Sequence, residues 1–151
     1  MSSTGTGPIL ICYDRSDGAR RALEVAGALF PGRKAVVLHV WSPISVAAAA
    51  YGGLTALPDL DEAALARAAQ ELAEEGAQLA RTAGLDATAE VVEGTYEGTW
   101  HAIVDAASSG GASLIVIGAR GLSTFKSLVL GSVSHGVAQH ARVPVLIVPP
   151  A

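Results

Sequence analysis

A parallel β-sheet with α-helices packed on both faces is the fold class this sequence predicts, and three observations predict it. Short, continuous apolar runs recur along the chain, among them Ile9 to Tyr13, Ala35 to Trp41 and Leu114 to Ile117. Segments with apolar residues at helical spacing separate these runs. No low-complexity linker or break in composition divides the chain. Strands that are apolar along their whole length belong to sheets covered on both sides, and right-handed crossovers set a helix between successive strands.

The elements follow in order. Ile9-Leu-Ile-Cys-Tyr-Asp14 is an apolar run ending in an acid, and Ser16 or Asp17 then supplies an N-cap for a helix through about Phe30. Ala22, Leu23, Ala26 and Leu29 lie on one side of that helix, which Pro31-Gly32 stops. Strand two is Ala35 to Trp41. After an apolar loop, Asp59 or Asp61 caps a long Ala-rich helix with Leu65, Ala69, Leu72 and Leu79 on one side and Gly84 as its stop. Strand three is Thr88 to Val92, and a helix from about Tyr96 to Ser108 leads to strand four, Leu114 to Ile117. A Gly-rich loop, a helix from about Ser132 to Ala141 and a last strand, Val145 to Val148, complete the order βαβαβαβαβ. This is a Rossmann-like three-layer α/β sandwich with a five-stranded parallel sheet, expected as one domain over residues 8–151 behind a short flexible tail, residues 1–7.

Composition agrees and narrows the function. Of 151 residues half are apolar and 16% charged, enough to bury a core and too apolar for a disordered chain. The single cysteine, Cys12, excludes an intrachain disulfide framework and a Cys-rich metal site, and it suits a reducing, cytoplasmic setting. Residues 35–58 carry no Lys, Arg, Asp or Glu. Pro43, Gly52, Gly53 and Pro58 interrupt that stretch, so it reads as a buried strand and an apolar loop, with no membrane span and no membrane partner. The net charge of −4 argues against nucleic acid as a partner. The charge is unevenly spread: eleven acidic residues lie between Asp59 and Asp105, whereas residues 106–151 hold Arg120, Lys126 and Arg142 and no carboxylate side chain.

In an open parallel sheet, ligands bind beyond the carboxyl ends of the strands where the strand order reverses. That directs attention to Asp14 to Asp17, Val40 to Pro43, and Gly118 onward. Gly118 lets the chain turn off strand four, Gly121 permits close backbone approach, and Gly131 opens the following helix so that ligand oxygens reach its free N–H groups. Ser132 adds a hydroxyl, and Ser134 and the loop cation Arg120 or Lys126 are further candidates for phosphate contact. The histidines His39, His101, His135 and His140 have no ligand spacing, so no metal site built from protein side chains is expected. Cys12, inside a strand, reads as a small buried hydrophobe. Trp41 or Tyr51 could flank a purine, although packing is the commoner role of such residues.

The spacing Gly-x2-Gly-x9-Gly-Ser, filled by Gly118, Gly121, Gly131 and Ser132, resembles the nucleotide-binding signature of the universal stress protein family, in its ATP-binding branch. The resemblance extends through Ile-Leu-Ile-Cys-Tyr-Asp-Arg-Ser at the start, Val37-Leu-His-Val40, Leu-Ile-Val-Ile-Gly-Ala-Arg-Gly and the closing Val-Pro-Val-Leu-Ile-Val. It implies ATP as ligand, Mg²⁺ or Mn²⁺ carried on the phosphates, and a homodimer through the last strand, Val143 to Val148. By position, Asp14 would contact the adenosine end and the Val40 backbone the adenine edge. Gly118, Gly121, Gly131, Ser132 and Val133 would surround ribose and phosphates. Two residues depart from the family pattern: Arg15 stands where glycine is usual, and Ser113 where an Asp often precedes strand four. For Arg15 a solvent-directed side chain is expected, ahead of one that crowds the pocket or reaches a phosphate.

The expected function is an ATP-binding regulatory protein of the stress response, at most a slow ATPase. The alternatives are a nucleotide-dependent hydrolase or adenylating enzyme, and a dimeric interaction module without nucleotide. Neither Ser-Gly-Gly-x-Asp-Ser after strand one nor Gly-x4-Gly-Lys-Ser/Thr is present, and no residue presents itself to position an attacking water.

Overall fold

The computed structural model describes residues 5–43, 61–119 and 130–151. Among them, strands β1 (Ile9–Cys12), β2 (Lys34–Trp41), β3 (Asp86–Glu93), β4 (Leu114–Gly118) and β5 (Val145–Val148) alternate with helices α1 (Asp17–Leu29), α2 (Glu62–Thr82), α3 (Thr99–Ser109) and α4 (Ser132–His140). Every pairing is parallel, and the strand order is β3-β2-β1-β4-β5. The Rossmann-like α/β fold expected from the sequence is the fold observed. The chain builds outward from β1 to β3, then returns to the other side of β1 for β4 and β5, so the order reverses between β1 and β4.

Side-chain alternation along the strands divides the interior into two layers. Ile9, Ile11, Tyr13 and Val37 pack with Ala22, Leu23 and Ala26 of α1 and Ala77 and Ala80 of α2. Leu10, Leu38, Ile115 and Ile117 turn the other way, onto Ile103 and Ala107 of α3 and Val137 of α4. None of the described helices is long and apolar enough to cross a membrane.

Local chemistry sets the helix ends. The Ser16 hydroxyl caps α1 by accepting from the Ala19 amide at 3.1 Å, and Asp61 caps α2 by accepting from the Ala63 amide at 3.0 Å. The C-terminal end of α2 is closed by Gly84, whose φ of +104° suits glycine. Helix α3 starts at Thr99, not at Tyr96. Residues 95–98 instead form a turn closed by Gly98 N–H on the Thr95 carbonyl, and Gly98 has a φ of +106° that no helix accommodates.

The buried face of α2 also differs from expectation. Leu79 is exposed, and Ala69, Ala73, Gly76, Ala77 and Ala80 face the sheet. The reason is proximity: a Cβ on Gly76 would lie 2.6 Å from the Tyr13 ring and 2.8 Å from Val37 Cγ1, so only small residues fit beneath the helix. Leu29 of α1, expected on the buried side, is 57% exposed at the helix end. Residues 5–7, expected as tail, are tied down: the Arg33 guanidinium donates to the Gly5 and Gly7 carbonyls and to Ser113 Oγ, which itself donates to Gly7 at 2.8 Å. Ser113 therefore joins the amino-terminal segment to the start of β4.

Candidate functional site

A cavity of about 220 Å³ opens at the carboxyl ends of β1, β2 and β4, beside the reversal in strand order. Asp14, Val40, Gly118, Gly131, Ser132, Val133 and Ser134, all singled out in the sequence, line it together. Gly121, Arg120, Lys126 and Tyr51 lie outside the described residues. Trp41 does not line the cavity; strand alternation puts its side chain on the β2 face opposite Leu38 and Val40.

The opening at Val40 follows from strand lengths. β1 ends at Cys12, opposite Leu38, and the Leu38 carbonyl accepts from Tyr13 N–H at 2.9 Å. Backbone groups of alternate residues point to the same side of a strand, so the N–H and C=O of Val40 aim past the end of β1. The Trp41 carbonyl, between them in phase, aims the other way and accepts from Gly94 N–H. Val40 thus offers one backbone donor and one acceptor to the cavity wall.

The opposite wall is the start of α4. Its N-cap, Gly131, makes no side-chain cap, so the Ser132, Val133 and Ser134 amides lack intrahelical acceptors. Gly131 has φ −59° and ψ 158°, a conformation open to any residue, so backbone geometry does not explain a glycine there. Its own N–H donates to the Ala119 carbonyl at 2.9 Å, which draws the two ends of the glycine-rich segment together. Ser134 is 3% exposed and its hydroxyl donates to the Gly118 and Ala119 carbonyls, at 2.8 and 3.0 Å. That hydroxyl locks α4 to the end of β4, which leaves the Ser134 amide as its contribution to an anion.

Gly118 has a role the sequence did not reveal. It remains within β4, and a Cβ there would meet the Gly18 carbonyl carbon and oxygen at 2.9 Å. The glycine is needed because the first turn of α1 crosses the end of β4, not for a turn off the strand.

The β1–α1 connection forms the floor. Asp14 Oδ1 accepts from Ser16 N–H at 3.0 Å, and its other oxygen has no partner among the described residues. Arg15 has a φ of +67°, the left-handed region that glycine would favour. Its side chain is half exposed but does not end in open solvent: Nη2 and Nε donate to the two oxygens of Glu75, at 2.6 and 3.2 Å. Tyr13 also donates its hydroxyl to Glu75, at 2.7 Å. The hydrogen bonds from Arg15, the larger influence, and from Tyr13 hold the Glu75 carboxyl below the ordinary range.

Sequence reasoning missed several residues here. His39 binds the Tyr13 carbonyl through Nδ1 at 2.9 Å; a carbonyl only accepts, so Nδ1 carries the proton. Thr99 and Ile103 of α3 and Ala19 of α1 complete the lining. No motif marks them, though the Gly98-Thr99 pair that opens α3 is a local signal of a helix start. Cys12 lies in the wall, and burial followed by the nearby Asp14 charge pushes its thiol up to about 12. Among the described residues, no three His, Cys, Asp or Glu side chains cluster to hold a metal ion. Trp100 stands outside the cavity as packing, stacked on His140 with centroids 4.2 Å apart and seated against Gly136.

Comparison with known proteins gives the lineage of this arrangement. The chain is 34% identical over 149 residues to the universal stress protein YxiE of Bacillus subtilis, a match covering 93% of this chain and 97% of that one. A universal stress protein structure from Archaeoglobus fulgidus superimposes with a TM-score of 0.66 at 28% identity, covering 93% and 92% of the two chains. The structure of a universal stress protein in complex with cAMP shares the fold, with a TM-score of 0.63 at 24% identity over 97% and 98% of the chains. The sequence model of the universal stress protein family matches residues 5–149, and the chain belongs to that family.

Proposed function

We propose that this protein binds ATP in the cavity at the β1–β4 reversal and acts as a regulatory protein of the stress response, with slow or no hydrolysis. The observation that carries the reading is Gly131. Its backbone conformation suits any residue, and the lack of a side chain there leaves the way open to the amides of Ser132, Val133 and Ser134. A helix N-terminus without a side-chain cap stabilises a phosphate through aligned N–H groups and the partial positive charge of the helix end.

The opposite wall supplies selectivity for the base. The Val40 carbonyl would accept from the adenine amino group and its N–H would donate to the adjacent ring nitrogen. Guanine reverses that pattern, setting oxygen against carbonyl and N–H against N–H. Leu38, Ile103 and Ile117 give the base an apolar bed, and Asp14 lies where a ribose hydroxyl can donate to its free oxygen. The cAMP held by a family member of the same fold agrees with an adenine nucleotide here.

Mg²⁺ or Mn²⁺ would be carried by the phosphates, where it offsets their charge. Among the described lining residues, Asp14 is the one carboxylate, and its Oδ1 is already bound to the Ser16 amide. Among the described lining residues no second carboxylate stands by to activate water, which favours a bound-state signal over rapid turnover. We place the protein in the cytoplasm, as a homodimer joined through β5.

The test is nucleotide release and competition. Denaturing the purified protein and analysing the released small molecules by mass spectrometry should yield adenine nucleotide. Calorimetric titration with Mg²⁺ should show ATP binding and much weaker GTP binding. Equal affinity for GTP would overturn the role of Val40, and absence of any nucleotide binding would leave the interaction-module reading in its place.

A further inference from the structure

The strained residue of the β1–α1 turn is Arg15, next to the cavity-lining Asp14, where the backbone takes a left-handed conformation that glycine adopts freely and arginine does not. Such a position persists when surrounding contacts hold it. Two of them come from one acceptor on a distant helix: Glu75 of α2 takes the Arg15 guanidinium through both carboxylate oxygens and the Tyr13 hydroxyl through one of them. The two residues that Glu75 holds flank Asp14. The third tether is His39, which donates from Nδ1 to the Tyr13 carbonyl, and the fourth is the Asp14 carboxylate itself, bound to the Ser16 amide. Gly76 reinforces the arrangement, since its lack of a side chain lets α2 lie directly on the Tyr13 ring.

From this geometry we infer that Arg15 and Glu75 are positioning residues for the nucleotide site: they clamp the β1–α1 turn to α2 and thereby fix the Asp14 carboxylate toward the cavity. The inference rests on the nucleotide reading of that cavity for its functional consequence, and on the hydrogen-bond geometry alone for the clamp. It makes Arg15 a replacement for glycine's conformational freedom, with side-chain contacts holding the turn that glycine would permit. It also gives Arg15 no part in phosphate binding, because its Nε and Nη2 edge is held by Glu75, on the α2 side of the sheet.

Two measurements test it. In the nucleotide-free protein, NMR hydrogen exchange at the Ser16 amide should quicken by about threefold or more in Glu75→Ala, the scale expected for losing an exposed ion pair and its hydrogen bonds. Arg15→Lys, which retains the charge, should recover part of the protection lost in Arg15→Ala. In titrations, Glu75→Ala and Arg15→Gly should each weaken ATP and adenosine by the same factor, about threefold. The melting temperature of Arg15→Gly without nucleotide should stay level or rise, because glycine relieves the backbone strain. Unchanged Ser16 exchange in Glu75→Ala overturns the clamp. So does a loss of ATP affinity with adenosine binding intact in Arg15→Gly, which would make Arg15 a phosphate ligand. If the parent protein binds neither ATP nor adenosine, the nucleotide reading fails while the exchange measurement still decides the clamp.

Discussion

Cys12 shows how position in the sheet governs one residue's chemistry. Its thiol lines the cavity wall, yet burial, helped by the Asp14 charge, pushes it up to about 12, so only about one molecule in ten thousand holds a thiolate at pH 8. The native protein should therefore react slowly with an aromatic disulfide reagent at pH 8 and promptly once unfolded; equal rates in both states would refute the shift. Because the folded value exceeds the ordinary 9.0, the thiol's contribution to stability is present below pH 9 and is lost as pH rises toward 12. Gly131 carries a second prediction at the same scale. With φ −59° and ψ 158°, valine fits the backbone there, so Gly131→Val should melt close to the parent without nucleotide. ATP should then give the variant no rise in melting temperature, where the parent gains about 2.7 kcal/mol at a hundredfold excess over Kd. A variant that shifts normally with ATP would mean that the phosphates lie elsewhere.

At the scale of elements, helix α2 is held close to the sheet by the absence of a side chain. A methyl group at Gly76 would press on the Tyr13 ring and on Val37, both rigid and buried, and would move the helix that carries Glu75. Gly76→Ala should accordingly destabilise the protein by up to about 2 kcal/mol, since overpacking costs about 1–3 kcal/mol against the roughly 1 kcal/mol gain in helix propensity. Chemical denaturation should read this as a lower midpoint with an unchanged slope; a higher midpoint would show that the helix has room to shift. The same helix marks the limit of reading elements from sequence. Its existence, a cap at Asp59 or Asp61 and its stop at Gly84 were legible in the residues, because caps and glycine stops are local chemistry, and the structure selects Asp61. Its buried face was not, because Leu79 satisfies helical periodicity as well as Ala80 does, and only the closeness of the sheet decides between them. The start of α3 was missed for a comparable reason. Tyr96 fits the apolar rhythm, but the conformation of Gly98 interrupts the helix after it. In the site, Asp14, Val40 and Gly118 could be marked as the ends of strands and Gly131 as the start of α4, whereas the direction of the Val40 backbone groups depends on how far β1 extends. The Arg15–Glu75 contact joins residues 60 apart and has no sequence signature.

For the whole molecule, the open question of the architecture is its edge at β5. The strand pairs with β4 on one side through carbonyls of even-numbered residues: Ile115 N–H donates to Pro144, and Ala119 N–H to Val148. By alternation, the N–H and C=O of Val145 and Ile147 point outward from the sheet, unpaired among the described residues. An apolar edge with free backbone groups is a template for another strand, and a second copy of the same edge satisfies it under twofold symmetry. Pro144 and Pro149 bracket the strand and confine that pairing to its four residues. The expected assembly is therefore a dimer with two β5 strands side by side, seen as twice the chain mass in light scattering at micromolar concentration. Ile147→Lys should break it, but the Ile147 side chain also packs against the Leu38 and Ile115 layer, so lysine there disturbs the core as well. Ile147→Pro separates the two effects. It removes an outward N–H that β4 does not use and asks only that Leu146 stay extended, as it already is. That variant should keep its circular dichroism spectrum and its ATP-dependent rise in melting temperature while sedimenting as a monomer. A folded Ile147→Pro protein that remains dimeric would place the interface elsewhere.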